Sequence, residues 1–236
     1  PSTSTRGAGS NGLAEDRQRV IRRLMTTQGF LVDKNFSDFN IGGFLGFEYN
    51  GRQSRLTVAE RTGFASPLLK NVSEGATVTN AEGAFVEDNL VSFIGRASFS
   101  YKNKYLLDAS IRADGSSKFG PNNKYGYFPS VSAGYILSEE DWFRNDVLTF
   151  LKLRASYGVT GNDSGIGAYE AIAGAGAVSY AGAVGTAVAT IGNDDVKWEE
   201  TTQTNFGASL GFWNDRITLE YDYFKKDTDD SVSYTH

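Results

Sequence analysis

"YLLDASIRADGSSKFG", Tyr105–Gly120, alternates almost without a break through its first half. Tyr105, Leu107, Ala109, Ile111 and Ala113 fall on one side of an extended chain; Leu106, Asp108, Ser110, Arg112 and Asp114 fall on the other. A strand with one apolar and one charged face must set the apolar face against a protein core or against lipid. That choice decides the fold.

Outward from this stretch the pattern is strand, short turn, strand, long loop, repeated as four hairpins. The hairpins read as Arg19–Val32 with Asp38–Asn50, Asn89–Tyr101 with Lys104–Asp114, Phe128–Ser138 with Leu148–Thr160, and Trp198–Trp213 with Arg216–Lys226. Residues 1–18 read as loop, as do 52–88, 114–129 and 161–197, which are rich in turn formers or polar residues. In "SEEDWFRND", Ser138 before three acids reads as the start of one short helical turn. No longer helix is visible, and the chain is expected to be all β.

Composition narrows the function. The 236 residues carry a net charge of −5, 27 glycines, four prolines, one histidine and no cysteine. The acidic balance argues against a nucleic-acid partner, because phosphate binding needs a clustered basic surface. His236 stands alone at the chain end, so neither acid–base chemistry nor a metal centre built on histidine has material. The acidic pairs at Glu139–Asp141, Asp194–Asp195, Glu199–Glu200 and Asp227–Asp230 read as solvated turn and rim charge, because adjacent strand residues point to opposite faces. No catalytic, cofactor or metal site is expected. "GNDSG" (Gly161–Gly165) and "NDD" (Asn193–Asp195) offer oxygen atoms to Ca²⁺, with polar loop as the plainer reading.

Three features favour lipid over a second protein layer. Strands of about eleven residues, at roughly 3.3 Å each and tilted about 40°, span an apolar band of about 25 Å, whereas soluble strands are mostly shorter. Short connections within hairpins and long ones between them match the periplasmic turns and extracellular loops of an outer-membrane barrel. Aromatic residues gather near strand ends: Phe99, Tyr101, Tyr105, Phe212 and Trp213 toward the short turns, Tyr157, Tyr221 and Tyr223 toward the other end. On this reading Arg96, Asp108, Arg112, Lys152, Arg154, Glu220 and Asp222 face a watery lumen. Asp114, Ser116, Ser117, Lys118, Tyr125, Tyr127 and Phe128 are the candidates for contact with a substrate or a lid. A passive channel, a small barrel closed on itself and a soluble β-sandwich binding module remain as alternatives, with an enzyme last.

The words themselves carry a resemblance. "SFIGRASFSYKNKYLLDASIRADGSSKFGPNNKYGYFPSVSAGYILSEEDWF" (Ser92–Phe143), "LKLRASYGVTGN" (Leu151–Asn162) and "WEETTQTNFGASLGFWNDRITLEYDYFKKDTDD" (Trp198–Asp230) resemble the SusC/RagA family of TonB-dependent outer-membrane transporters of Bacteroidota, and "FNIGGFLGFEYN" (Phe39–Asn50) fits the preceding hairpin. The resemblance implies a 22-stranded barrel with an N-terminal plug, of which this chain holds about eight later strands without plug or TonB box. It also implies import of glycans or oligopeptides, a SusD-like surface lipoprotein as lid, and energy delivered through TonB. An open eight-stranded sheet in lipid would leave two unsatisfied backbone edges, so other strands are expected to flank it.

Overall fold

The computed structural model describes residues 11–180 and 183–229. Residues 1–10 of the expected first loop, Asp230 and His236 lie outside them. Ten strands follow in order: β1 Leu13–Phe36, β2 Phe39–Thr62, β3 Thr77–Tyr101, β4 Tyr105–Ser116, β5 Tyr125–Ile136, β6 Leu148–Asn162, β7 Gly174–Tyr180, β8 Ala183–Thr190, β9 Glu199–Phe212 and β10 Ile217–Asp229. Eight form one sheet in the order β1-β2-β3-β4-β5-β6-β9-β10, and β7 with β8 makes a separate two-stranded ribbon. The only helical elements among the described residues are two three-residue 3-10 turns, Val72–Glu74 and Leu137–Glu139.

The four hairpins are where alternation places them, but several ends move. Residues 13–18, expected as loop, already belong to β1. The expected 52–88 loop is mostly strand, with only 63–76 between β2 and β3. Its strand portions are held by polar cross-strand pairs: Arg52 with Asp88, Gln53 with Glu87, Thr79 with Glu60, and the Arg55 guanidinium 5.8 Å over Phe85. Such strands carry no apolar stripe, which is why they read as loop.

The 114–129 loop shrinks to 117–124, because Ser116 and Gly115 still pair with Leu90 and Val91, and Tyr125 pairs with Gly115. The 161–197 loop contains the β7–β8 ribbon, whose Gly/Ala/Val composition hides a paired segment. The length rule also fails at one pair: the connection after β5 spans 137–147 and is longer than the one after β4. Its 3-10 turn starts at Leu137, one residue before the Ser138 start that the sequence suggests.

The chain divides into two compact units. One takes in the described residues up to Leu24 with Gly51–Asp88; the other takes in Met25–Asn50 and the described residues from Asn89 onward. In the first, Val58 and Phe64 are buried, and the Phe64 amide donates to the Asn11 carbonyl.

In the second unit the register keeps the two faces apart. Phe99, Leu107, Ala133, Ala155, Phe206 and Tyr223 run across six strands as one row. The adjoining row is Ser98, Asp108, Ser132, Ser156, Asn205 and Phe224. Nothing in the described structure covers the apolar face: Leu107, Ile111, Leu153 and Leu219 are 47, 51, 44 and 54% exposed. A sandwich would bury them.

Tight turns fix that register. Lys102 and Asn103 both take positive φ between β3 and β4, with the Lys104 amide donating to the Tyr101 carbonyl, the backbone twist a two-residue hairpin favours.

Candidate functional site

The polar face of the second unit is a wall of ion pairs set among small side chains. Arg96 donates to Asp108 at 2.9 Å. Arg154 makes a two-pronged contact to Asp222 at 2.8 and 3.0 Å and also donates to Ser209, with Glu220 4.0 Å away. Arg112 donates through Nε to both oxygens of Asp114 and through Nη2 to Glu48 and Ser92. Lys152 has no charged partner in the described structure and lines a depression of about 360 Å³ with Asp108, Ser132, Arg154, Asn205 and Asp222. Arg96, Asp108, Arg112, Lys152, Arg154, Glu220 and Asp222 therefore share one face.

Glycine makes room for the Arg154–Asp222 pair. A Cβ at Gly207 would meet the Asp222 carboxylate, and the Arg154 Nε at 2.9 Å, whereas a Cβ at Gly43 would meet nothing within 4 Å. Gly207→Val is expected to cost about 1–3 kcal/mol, the usual range for overpacking, with Gly43→Ala well below it. Denaturant unfolding of both variants in lipid reads the difference.

The seven residues proposed for substrate or lid contact separate into two groups. Asp114 and Ser116 are buried at 8% and 1% exposure. Ser116 donates to Asp163, Lys118 donates to the Asp163 carbonyl, and the Ser117 hydroxyl accepts from the Asn89 amide. Phe128 is buried with Phe119, Ile166 and Trp198, and Leu90, Val159 and Val196 pack around them. The Phe119 and Phe128 rings lie 4.6 and 5.4 Å from the Trp198 ring. Gly126 and Gly161 leave flat backbone on which the Phe128 ring rests, and Gly120 lies against the Asp194 backbone.

These contacts form a clasp that fastens the 117–124 segment to both flanks of the ribbon. Ser116, Lys118 and Phe128 are spent on it, while Asp114 is held by Arg112 and Ser117 by Asn89. Tyr125 and Tyr127 are different: they are 52 and 63% exposed and stand on the apolar face, paired with Gly115 and Ala113.

The oxygen groups considered for Ca²⁺ are bonded within the chain. Asn162 accepts from Ser164 and donates to Glu199, Asp163 takes Ser116 and Lys118, and Asn193 accepts from the Asp195 amide. Among the described residues no group of three or more His, Cys, Asp or Glu is placed to hold a metal ion.

One arrangement escapes sequence reasoning. Glu140, read as rim charge, accepts from the hydroxyls of Tyr105 and Tyr135 at 2.8 and 3.1 Å and from Lys104 at 3.2 Å. The Tyr105 hydrogen bond, chiefly, holds its carboxyl below the ordinary 4.5; burial opposes, and Lys104 and Tyr135 add to the lowering. A carboxyl lowered on folding contributes stability above its ordinary value and loses it as pH falls through the folded value. Amides of the 137–147 turn should therefore keep their exchange protection from pH 7 down to about 4.5 and lose it below. Glu140→Gln should abolish the step. The only sequence signal is that both tyrosines occupy strand ends; Tyr135 is near Glu140 in the chain, but Tyr105 and Lys104 are 35 and 36 residues away.

Known proteins share this sequence and this sheet. Residues 2–235 match the family described as TonB dependent receptor-like, beta-barrel. TonB-dependent receptor P39 of Formosa agariphila is 36% identical over 93% of this chain and 22% of its own length. TonB-dependent receptor P3 of the same organism is 31% identical over 98% of this chain and 24% of its own. TonB-dependent receptor SusC of Bacteroides thetaiotaomicron is 37% identical over 62% of this chain and 15% of its own. The solved structure of the RagAB peptide transporter superposes with a TM-score of 0.80 at 30% identity, covering 92% of this chain and 25% of that one. The chain spans about a quarter or less of the length of the relatives it matches.

Proposed function

The chain belongs to the TonB-dependent receptor-like β-barrel family, and from that premise we propose that it supplies wall and external loops to a SusC-type importer in the outer membrane of a Bacteroidota-type bacterium. The importer takes up oligopeptides or glycans under a SusD-like lipoprotein lid, with energy from TonB. One observation carries the reading: a single-layer antiparallel sheet keeps one face apolar and uncovered while the opposite face is laced with ion pairs. Water tolerates the second face and hydrocarbon the first. In lipid the free edges of β1 and β10 would each cost several kcal/mol per unsatisfied backbone group, so flanking strands of a larger, 22-stranded barrel complete the hydrogen bonding there.

The relatives are receptors and transporters rather than enzymes. On the polar face the carboxylates of Asp108, Asp114 and Asp222 are each engaged by a guanidinium group. A peptide cargo is supported by the RagAB neighbour, a peptide transporter, and a glycan cargo by the resemblance to the SusC family.

The test is uptake of labelled oligopeptides and oligosaccharides by cells carrying the full-length protein, with and without a protonophore. Uptake of one class that stops when the proton gradient collapses is the expected result. Uptake indifferent to the gradient would make the protein a passive channel.

A further inference from the structure

We propose that the first compact unit carries a binding site for a phosphate monoester, formed by Arg22 on β1 and Arg55 on β2. Charge is unevenly spread in this chain. The whole is acidic, at −5, yet the seven residues "RQRVIRR", Arg17–Arg23, hold four arginines. Alternation sends Val20 and Arg22 to one side of β1 and Arg17, Arg19 and Arg23 to the other. Val20 and Arg22 then join Gln53, Arg55 and Phe85 around one depression of about 270 Å³, to which β1, β2 and β3 all contribute.

Two guanidinium groups at one depression repel each other, and among the described residues neither forms an ion pair with a carboxylate. The acid beside them is Glu87, which accepts from Gln53 Nε2 at 3.4 Å. Asp16 shares a side of β1 with Arg22 but stands six residues, roughly 20 Å, along the strand. The other charges of these three strands are engaged or turned away. Arg17 pairs with Glu15 and Arg52 with Asp88, and Arg61 donates to the Ser73 and Gly75 carbonyls. Glu60 accepts from Thr79 and Glu82 from Asn80, while Arg19 and Arg23 lie on the opposite side of β1. Two positive charges therefore meet one hydrogen-bonded acid.

The Phe85 ring sets how one of them is presented, with Arg55 Cζ 5.8 Å from its centroid. A guanidinium stacked on a ring uses its face and keeps its in-plane N–H donors free. Arg22, Gln53 and Arg55 are exposed, so those donors are open to a ligand arriving from water. The number of donors selects the ligand. One guanidinium fork saturates the two oxygens of a carboxylate; two forks suit an anion with three oxygens and nearly two charges, as a phosphate monoester has at pH 7. A glycolipid headgroup and a free sugar phosphate both present that group.

The experiment titrates the full-length protein in detergent with glucose 6-phosphate and, in mixed micelles, with lipid A and dephosphorylated lipid A. The expected result is that lipid A binds and its dephosphorylated form does not. Arg22→Gln and Arg55→Gln should each weaken binding about 10- to 100-fold, the range for hydrogen bonds to a charged group. Arg55→Lys, which keeps the charge and loses the fork, should also weaken it. Arg19→Gln makes the same charge change on the other side of β1 and should leave it unchanged. Glucose 6-phosphate binding with the same dependence shows that the phosphate group suffices; lipid A binding alone assigns the site to a lipid headgroup. Equal binding of the two lipid forms without glucose 6-phosphate binding overturns the proposal, and so does the absence of any binding. Equal losses in Arg19→Gln and Arg22→Gln also overturn it, because they would mean diffuse attraction to a basic strand. The readout is binding in micelles, so it stands or falls apart from the importer reading.

Discussion

Ile111→Arg is expected to destabilise the reconstituted protein by about 2–4 kcal/mol, the cost of a guanidinium facing lipid near the bilayer midplane. Ile111 is 51% exposed on β4, paired with Gly95 and Pro129, and its Cγ2 lies 3.6 Å from where a Gly95 Cβ would be. In water, such a substitution at a half-exposed strand position would be nearly neutral. The penalty therefore reports on what lies outside the sheet rather than on packing within it.

Alternation alone makes Arg112→Ala the natural mild control, as the neighbour on the wet face. Geometry removes Arg112 from that role. Its guanidinium holds Asp114, whose side chain is only 11% exposed, together with Glu48 and the fully buried Ser92. Removing one partner of a fully buried pair costs about 3–5 kcal/mol, and less where the cation is a third exposed, as here. Lys152→Ala is the proper control, since Lys152 shares the face and supports no ion pair in the described structure. Equal refolding midpoints in lipid for Ile111→Arg and Lys152→Ala would mean that the apolar face does not meet hydrocarbon.

What can be read from the sequence follows from where the burial pattern is simple. Between Asn89 and Tyr157, a side chain's fate depends on its parity along the strand. Phe93 and Phe99 therefore fall on one face and Arg96 and Ser98 on the other, as the structure has them. Parity fails where polar pairs hold the strands together. The outer parts of β2 and β3 are held by pairs such as Arg52–Asp88 and Thr79–Glu60, which alternate nothing apolar and so resemble loop.

Composition misleads for a second reason in the ribbon. Gly174–Tyr180 and Ala183–Thr190 are mostly alanine, glycine and valine with no charged residue to mark a polar face, and their pairing register, Ala175 with Val188 through Tyr180 with Ala183, is what makes them strand. By residue type Phe128 groups with Tyr125 and Tyr127, because all three are aromatic and close in the chain. Parity separates it from them, and the bare backbone at Gly126 and Gly161 gives its ring a seat that no local pattern announces. The role of Glu140 is not legible locally, because two of its three partners, Lys104 and Tyr105, come from the β3–β4 hairpin.

Phe128→Ala is the second large effect, and it should act on the loop end alone. The side chain is 7% exposed and packs with Phe119, Ile166 and Trp198, so truncation removes its transfer free energy and leaves a cavity, about 3–5 kcal/mol for a buried phenylalanine. The clasp is held by the hydrophobic effect in water, whereas the hydrogen-bonded strands in lipid do not depend on it. The expected result is a protein still embedded and heat-stable as a barrel but newly cut by protease within 117–124 and 163–198. Gly161→Val should reach the same state by the opposite route, because its side chain would enter the space of the Phe128 ring. Trp198→Phe, which keeps an aromatic ring against Phe119, should open the loops least. If Phe128→Ala and Gly161→Val both leave these segments as resistant as the parent, the cluster is not what fastens them. The polar links from Ser116 and Lys118 to Asp163 must then hold the loops by themselves.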